Sequence, residues 1–362
     1  MMQKIKNFLH RRNQVSEIRL AIAGVGNCSS AFIQGLYYYE KTKDTVGLIY
    51  PEMGGYKVSD IKVVAAFEVN EKKVGKDLSE AICAEPNCTR RFYDVPYMGV
   101  PVMMGPVLDG IPEHLEKFVK VSDKKPVDIA KVLKDTGADV IISLLPTGSA
   151  LATRAYADAA IKEAKVAFVN GIPEMIASST EYAEIAKKNG VPLIGDDFKS
   201  QIGSTYLHRA LIVALLNRGI KIDRMYQYNF AGNTDFANLV KRGETKEKTK
   251  RTALKAELPY EVVWGFANHF INGQEDTKTG VIHIQARNWG SQLANVDLKI
   301  EVDDSANAGG VMVDMIRGAK IAKDKGIGGV IEPICAYYAK HPPVQIHDRD
   351  AKKMVDEFIK SK

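Results

Sequence analysis

A chain of 362 residues is too long for one ordinary core and short for three, so two domains, or one domain split by an insertion, are expected. With 45% hydrophobic and 26% charged residues it can bury a substantial core, which excludes a disordered chain, and no apolar run approaches the roughly 20 residues that span a bilayer. The formal charge of +6 comes from lysines and arginines interleaved with acids along the whole length, so neither a nucleic-acid nor a membrane partner is expected, while a basic cleft for an anionic metabolite stays open.

In chain order, Ile18–Ala23 reads as a first strand and Cys28 to Lys43 as its helix. Strands follow at Lys62–Glu68, Asp139–Leu145, Ala167–Asn170 and Val191–Ile194, with helical stretches at Ala150–Glu163 and Thr180–Lys188. Short β-branched runs alternating with segments of helical period predict a doubly wound, Rossmann-type parallel sheet. After a helix from Ser204 to Arg218 the pattern changes. Arg224–Asn229, Val281–Ala286 and Val296–Val302 alternate like strands without helices between them, which predicts an inserted antiparallel sheet with one face left for water or a partner. Helices at Ala308–Lys323 and Asp350–Lys360 return to the first domain. The predicted division is therefore 1–202 with 306–362 as the nucleotide domain and 203–305 as an α+β catalytic and oligomerisation domain. Cys28, Cys83, Cys88 and Cys335 have neither C-x-x-C nor zinc spacing and are too few for a disulfide framework, and the amino terminus lacks an apolar signal region. A soluble cytoplasmic protein is expected.

Gly24-Val-Gly-Asn-Cys-Ser29 sits where the first strand passes into its helix. Glycines there let backbone approach a pyrophosphate, and the helix amino terminus offers N–H groups and a positive dipole end. Ser29 stands at the usual third glycine, so the loop alone also describes a plain tight turn. Glu68, at the end of the second strand, suits an adenosine ribose and favours NAD over NADP. It lies farther from the glycines than the usual spacing, which implies an insertion over Thr45–Ser59. Leu145-Pro146-Thr147 and Asn170-Gly171 end later strands at the carboxyl edge of the sheet, where ligands of open α/β folds bind.

The second half holds no hydrolase triad, zinc motif or Walker loop. It holds polar clusters at strand ends: GDDFKSQ (195–201), YNFAGNTDF (228–236), TKEKTK (245–250), DDSANAGG (303–310) and AYYAKHPP (336–343). Singly each also describes a helix cap or a solvated turn. Together and in this order they resemble the inositol-phosphate synthase family, and the GVGN form of the glycine loop is similar to its short archaeal and actinobacterial branch.

The resemblance implies an NAD-dependent, redox-neutral isomerase that converts glucose 6-phosphate to inositol phosphate, the first step of inositol and inositol-phospholipid biosynthesis. It implies a homotetramer, a cation requirement that is open between divalent, monovalent and none, and a set of catalytic lysines at Lys246, Lys250, Lys278 and Lys340. Asp197, Asp304, Asn229 and Asn233 support them, and Asp197, Lys199, Ser200 and Asp304 join the loops above as candidate cofactor contacts. Ketone, enolate and alkoxide intermediates place negative charge on oxygen, which preorganised ammonium groups stabilise, and crowded lysines lower one another's pKa so that one can act as a base. On that model Lys340 moves the C5 hydroxyl proton and Lys246 holds the C5 oxygen, with Lys250 and Lys278 toward the C1 oxygen and the phosphate. TKEKTK also describes a solvated face, and its paucity of apolar anchors predicts a segment ordered by ligands. His208, on the apolar helix, reads as a core residue. An ordinary NAD-dependent dehydrogenase of a phosphorylated sugar or polyol, and a non-catalytic NAD-sensing assembly protein, are the competing classes.

Overall fold

The structure, a computed structural model, describes residues 17–242 and 251–361. Strand β1 (Ile18–Ala23) is buried at every position but Arg19, as a strand covered on both faces must be. It pairs in parallel with β2 (Ile61–Glu68) on one side and β4 (Val140–Ser143) on the other. Adding β3 (Val102–Met104), β5 (Ala167–Asn170), β6 (Pro192–Ile194) and β11 (Gly329–Val330) gives a seven-stranded parallel sheet of order β3-β2-β1-β4-β5-β6-β11. The order reverses between β1 and β4, and a crevice at their carboxyl ends is the consequence. Two strands of this sheet were not expected, and a third unexpected one lies in the second sheet. β3 and β11 are too short to show a period.

Helices α1 (Asn27–Thr42), α2 (Leu78–Ala81), α3 (Ile129–Asp135), α4 (Ala150–Asp158), α5 (Thr180–Lys188), α6 (Ser204–Leu216), α7 (Thr234–Arg242), α8 (Gly309–Asp324), α9 (Glu332–Tyr338) and α10 (Asp348–Lys360) complete the described secondary structure beside short turns. One face of the large sheet packs Leu20 and Ile22 against Phe32, Ile33, Met312, Met315 and Ile334 of α1, α8 and α9. The other face packs Ala21, Phe67 and Ile141 against Leu133, Tyr156 and Tyr182 of α3, α4 and α5. Burial of each large apolar side chain contributes about 1.5–3 kcal/mol, so both helical layers are held. The late helices thus return to the first sheet, as the pattern predicts.

The second sheet, of order β10-β9-β7-β8, consists of β7 (Lys221–Ala231), β8 (Val263–Phe270), β9 (Thr277–Arg287) and β10 (Leu293–Asp303). It is mixed rather than wholly antiparallel. β7 runs antiparallel to β9 and β9 to β10, but β7 and β8 are parallel. The link from β7 to β8 contains α7 and a further helical stretch at 251–255, which supplies the dozen or more residues a parallel crossover needs. Helix α6 covers one face through Ile212 against Met225, Ile282 and Ile284. His208 is fully buried there with Nδ1 3.3 Å from Gln227 Oε1, a core residue as expected. The opposite face carries Tyr226, Tyr228 and His283 in stacked contact.

Candidate active site

The first turn after β1 is built for close approach. Gly24 adopts φ +96°, and a Cβ there would stand 2.7 Å from the Leu144 carbonyl oxygen, so no other residue fits without moving β4. A Cβ on Gly26 would meet nothing within 4 Å; its missing side chain leaves open space above the start of α1, whose first turn holds no acid. That combination of room, free space and an unopposed dipole suits a pyrophosphate. Ser29 stands behind the turn and donates from Oγ to the Gly24 carbonyl at 2.5 Å. Glu68 at the end of β2 accepts from the Val25 N–H at 3.0 Å and the Val69 N–H at 2.7 Å.

Two adjoining cavities open from this turn. One, of about 160 Å³, is walled by Gly24, Glu68, Lys73, Asn87, Pro146 and Tyr156. The other, of about 220 Å³, is lined by Asn27, Cys28, Thr147, Gly171, Asp197, Ser200, Asn233, Lys278, Asp304 and Lys340. Gly26, Leu145, Pro146 and Thr147 border both, so they form one groove, with an adenosine-sized end on β2 and a polar end facing the second sheet. The two sheets are tied there: Thr147 Oγ1 lies 3.1 Å from Asp235 Oδ1 and the Asn238 amide donates to the Thr147 carbonyl.

The adjacent acids after β6 divide their work. Asp196, fully buried, accepts from the N–H groups of Ile176, Ala177 and Ser178 and from Asn170 Nδ2 at 2.8–3.1 Å; burial pushes its pKa up to about 6 against those donors. Asp197 has φ +63°, a backbone state L-residues rarely hold and one often kept at functional sites. That twist sends its carboxylate the other way, where Oδ1 accepts from Lys340 Nζ at 2.8 Å. Lys340 itself follows α9 and is pinned by its own N–H to the Asp197 carbonyl at 2.7 Å.

From the second sheet, Lys278 on β9 lies opposite Val302 of β10, and its Nζ donates to Asp304 Oδ1 at 2.7 Å. Asp276 stands behind this pair, 2% exposed. It accepts from Asn233 Nδ2 at 2.9 Å and Ser305 Oγ at 3.0 Å. Burial first, and then the charge of Asp304, raise its pKa to about 6. Desolvation, with Asp276 and Asp304 nearby, holds the Cys28 thiol up at about 12, so Cys28 lines the groove as a neutral group and not as a nucleophile.

Of the expected site residues the structure brings together Asp197, Ser200, Asn233, Lys278, Asp304 and Lys340 around the glycine turn. It sets others in the frame. Lys199 was expected at the cofactor, but its Nζ is buried against Asp348 Oδ1 at 2.5 Å, away from both cavities' walls. Asn170 is occupied by the Ile172 and Glu174 carbonyls and Asp196. Asn229 is fully buried behind Ser204, whose Oγ is 3.0 Å from its Oδ1. Each of these three stands beside a residue that does line the groove, and strand-end position alone does not say which way a side chain turns. Lys246 and Lys250 lie outside the described residues. No sequence motif points to Asp276; its contact with Asn233 joins residues far apart in sequence, and no local pattern shows it. Described lysines are held by carboxylates here, where crowding among lysines was expected. Among the described residues no group of three His, Cys, Asp or Glu side chains is placed to hold a metal.

A Rossmann groove ending in two ammonium–carboxylate pairs defines a dinucleotide-dependent enzyme that works on a negatively charged or polar small molecule. Comparison with known proteins narrows this. Residues 203–305 match the family model described as myo-inositol-1-phosphate synthase. The chain is 43% identical over 357 residues to the inositol-3-phosphate synthase of Mycolicibacterium smegmatis, covering 95% of this chain and 98% of that one. The crystal structure of Ari2 superposes with a TM-score of 0.78 at 34% identity, covering 96% of this chain and all of that one. A myo-inositol-1-phosphate synthase-related protein from Thermotoga maritima superposes with a TM-score of 0.81 at 24% identity, covering 96% and 99%, and supports the fold alone. The chain belongs to the inositol-3-phosphate synthase family, whose members are NAD-dependent isomerases.

Proposed function

We propose that this protein converts glucose 6-phosphate to myo-inositol phosphate with NAD held in the groove, without net oxidation. The observation that carries the proposal is the convergence of Lys278 and Lys340, from different sheets, on one cavity beside the glycine turn. NAD held there would supply a reversible hydride acceptor for C5, so that the carbon skeleton would be rearranged at constant oxidation level. Gly24, Gly26 and the amino terminus of α1 fit its pyrophosphate, and Glu68 fits its adenosine ribose.

The chain's own groups supply the rest. Lys340, once its own proton has passed to the paired Asp197 carboxylate, is placed to take the proton of the C5 hydroxyl as that carbon becomes a ketone. Loss of a C6 proton then gives an enolate, which attacks the C1 aldehyde and closes the ring. Lys278, oriented by Asp304, is placed against the C1 oxygen or the phosphate, where negative charge gathers. Lys246 and Lys250 complete the set on the family's model, with Lys246 at the C5 oxygen. Asn233 holds Asp276, the acid behind the Lys278–Asp304 pair.

Purified protein given glucose 6-phosphate and substoichiometric NAD is expected to form inositol phosphate, followed by phosphorus NMR, with no rise in reduced-nicotinamide absorbance. Stoichiometric NADH with an oxidised sugar phosphate would instead establish a dehydrogenase. A parallel run with chelator and with added divalent or monovalent salts decides whether a cation is required.

We further propose that residues 203–305 act as the catalytic and oligomerisation unit on a nucleotide domain of 1–202 and 306–362, and that four copies assemble. Val263 at 71%, Leu293 at 68% and Tyr228 at 38% exposure share the uncovered face of the second sheet with polar neighbours such as Arg224 and His283, a face that another sheet can cover. A monomeric mass by light scattering at micromolar concentration removes the assembly. No described helix is long and apolar enough to cross a membrane, and the four cysteines are free, which supports a cytoplasmic enzyme.

A further inference from the structure

We propose that Lys73 tunes cofactor choice: its buried ammonium offsets the charge of Glu68, so that the adenosine end of the groove rejects a 2′-phosphate less strongly than the acid alone would. The inference rests on the reading of the groove as a dinucleotide site.

Lys73 and Glu68 wall the same cavity. Lys73 is 3% exposed, and its Nζ lies 2.8 Å from the Val25 carbonyl, 2.7 Å from Asn87 Oδ1 and 4.0 Å from Glu68 Oε2. Asn87 donates its own Nδ2 to the Val25 and Ile82 carbonyls at 3.2 and 3.0 Å, which fixes its oxygen toward the lysine. Two hydrogen-bond acceptors and, at ion-pair distance, the Glu68 carboxylate therefore surround the Nζ, partners that suit a donor-only ammonium. A buried lysine in the turn after β2 is not needed for the ribose, which the acid alone recognises. Where folds of this class admit a 2′-phosphate, they use a cation near this position. Here both signs are present. Glu68, held by backbone N–H groups of Val25 and Val69, keeps its ribose-binding role, while the repulsion it exerts on an added phosphate is reduced by a neighbour screened from solvent.

A second role, bracing of the glycine turn through the Val25 carbonyl, is compatible with the same contacts and has a different signature. A brace affects both cofactors alike, whereas a charge acts in addition on the 2′-phosphate that only NADP carries, and so changes the ratio of their constants. Dissociation constants of NAD and NADP for the purified full chain are to be measured by titration calorimetry at fixed ionic strength. In Lys73→Met the ratio of the NADP to the NAD constant is expected to rise about tenfold, the scale of one partly buried ionic neighbour. In Asn87→Asp the lysine stays and a carboxylate is added against it, and the ratio is expected to rise as well. That variant keeps the test alive should removal of Lys73 prevent folding, which circular dichroism shows. Equal weakening of both cofactors in these variants, with the ratio unchanged, overturns the role of Lys73. Absence of NAD binding by the unaltered protein overturns the groove assignment and this inference with it.

Discussion

The two ammonium–carboxylate pairs facing the groove are held in different ways. Lys340 and Asp197 belong to the frame of the first sheet: main-chain bonds join them, Phe198 bridges to Ala339, and the lysine and aspartate side chains are 11% and 4% exposed. Lys278 on β9 and Asp304 just past β10 belong to the second sheet and its turn, with side chains 15% and 16% exposed and Asp276 as an additional carboxylate behind them. One pair is part of the packing of its domain. The other joins the start of β9 to the turn after β10, beside the buried Asp276.

The comparison is broken most directly by deleting each lysine. Lys340→Ala and Lys278→Ala are both expected to reduce turnover at least about a thousandfold, roughly 4 kcal/mol of lost transition-state stabilisation. They should differ in stability. Lys340→Ala leaves the Asp197 carboxylate buried without that partner and is expected to destabilise the fold by about 2 kcal/mol, while the more hydrated Lys278 site should lose about 1 kcal/mol or less. Denaturant titrations beside steady-state rates test this; equal stabilities would show the two pairs to be alike. Wild-type turnover in either variant would remove that lysine from the chemistry.

The acid behind the second pair gives a pH-dependent contrast. Burial raises Asp276 from its ordinary 3.8 to about 6, so its charged form is disfavoured in the folded state. Its contribution to stability is therefore fullest below pH 4 and is lost as pH rises through about 6, amounting to about 2–3 kcal/mol. Compared with Asp276→Asn, which cannot ionise, wild type should lose relative stability across that window and run parallel above it. A constant difference from pH 4 to pH 7 would mean that Asp276 titrates as an ordinary carboxylate.

What the sequence shows and hides follows from range. The parallel sheet was legible because Ile18–Ala23 and Ala167–Asn170 are uninterrupted apolar runs between helical periods, and the glycine turn because Gly24 has a local steric reason to be glycine. Strand β8 was not: Val263–Phe270, with Gly265, Ala267 and Asn268 breaking its alternation, was not expected as a strand, and its direction depends on a crossover in the chain before it. The site divides likewise. Lys278 and Lys340 were reached through motif resemblance, whereas the inward turn of Lys199 toward Asp348 and the span from Asn233 to Asp276 are contacts between remote segments. Asp197 and Asp196 are neighbours of identical type, and only the backbone at Asp197 decides which one faces the groove.

Asn229 gives the smallest and sharpest test of frame against groove. It was expected among the catalytic residues, yet it is fully buried, donates from Nδ2 to Asn268 Oδ1 at 3.0 Å, and reaches the cavity only through Ser204. Ser204 begins α6 and lies against Gly280 of β9, where a Cβ would stand 2.5 Å from its hydroxyl oxygen, so a shift of α6 is felt on the strand that carries Lys278. Asn229→Ala removes an acceptor for Ser204 and should lower stability by about 1 kcal/mol. Turnover should fall only about tenfold, through misplacement of Lys278 and not through loss of a reacting group. Asn229→Ser, which keeps a hydroxyl acceptor, should recover part of both. A thousandfold loss in Asn229→Ala with unchanged stability would instead place this amide on the substrate.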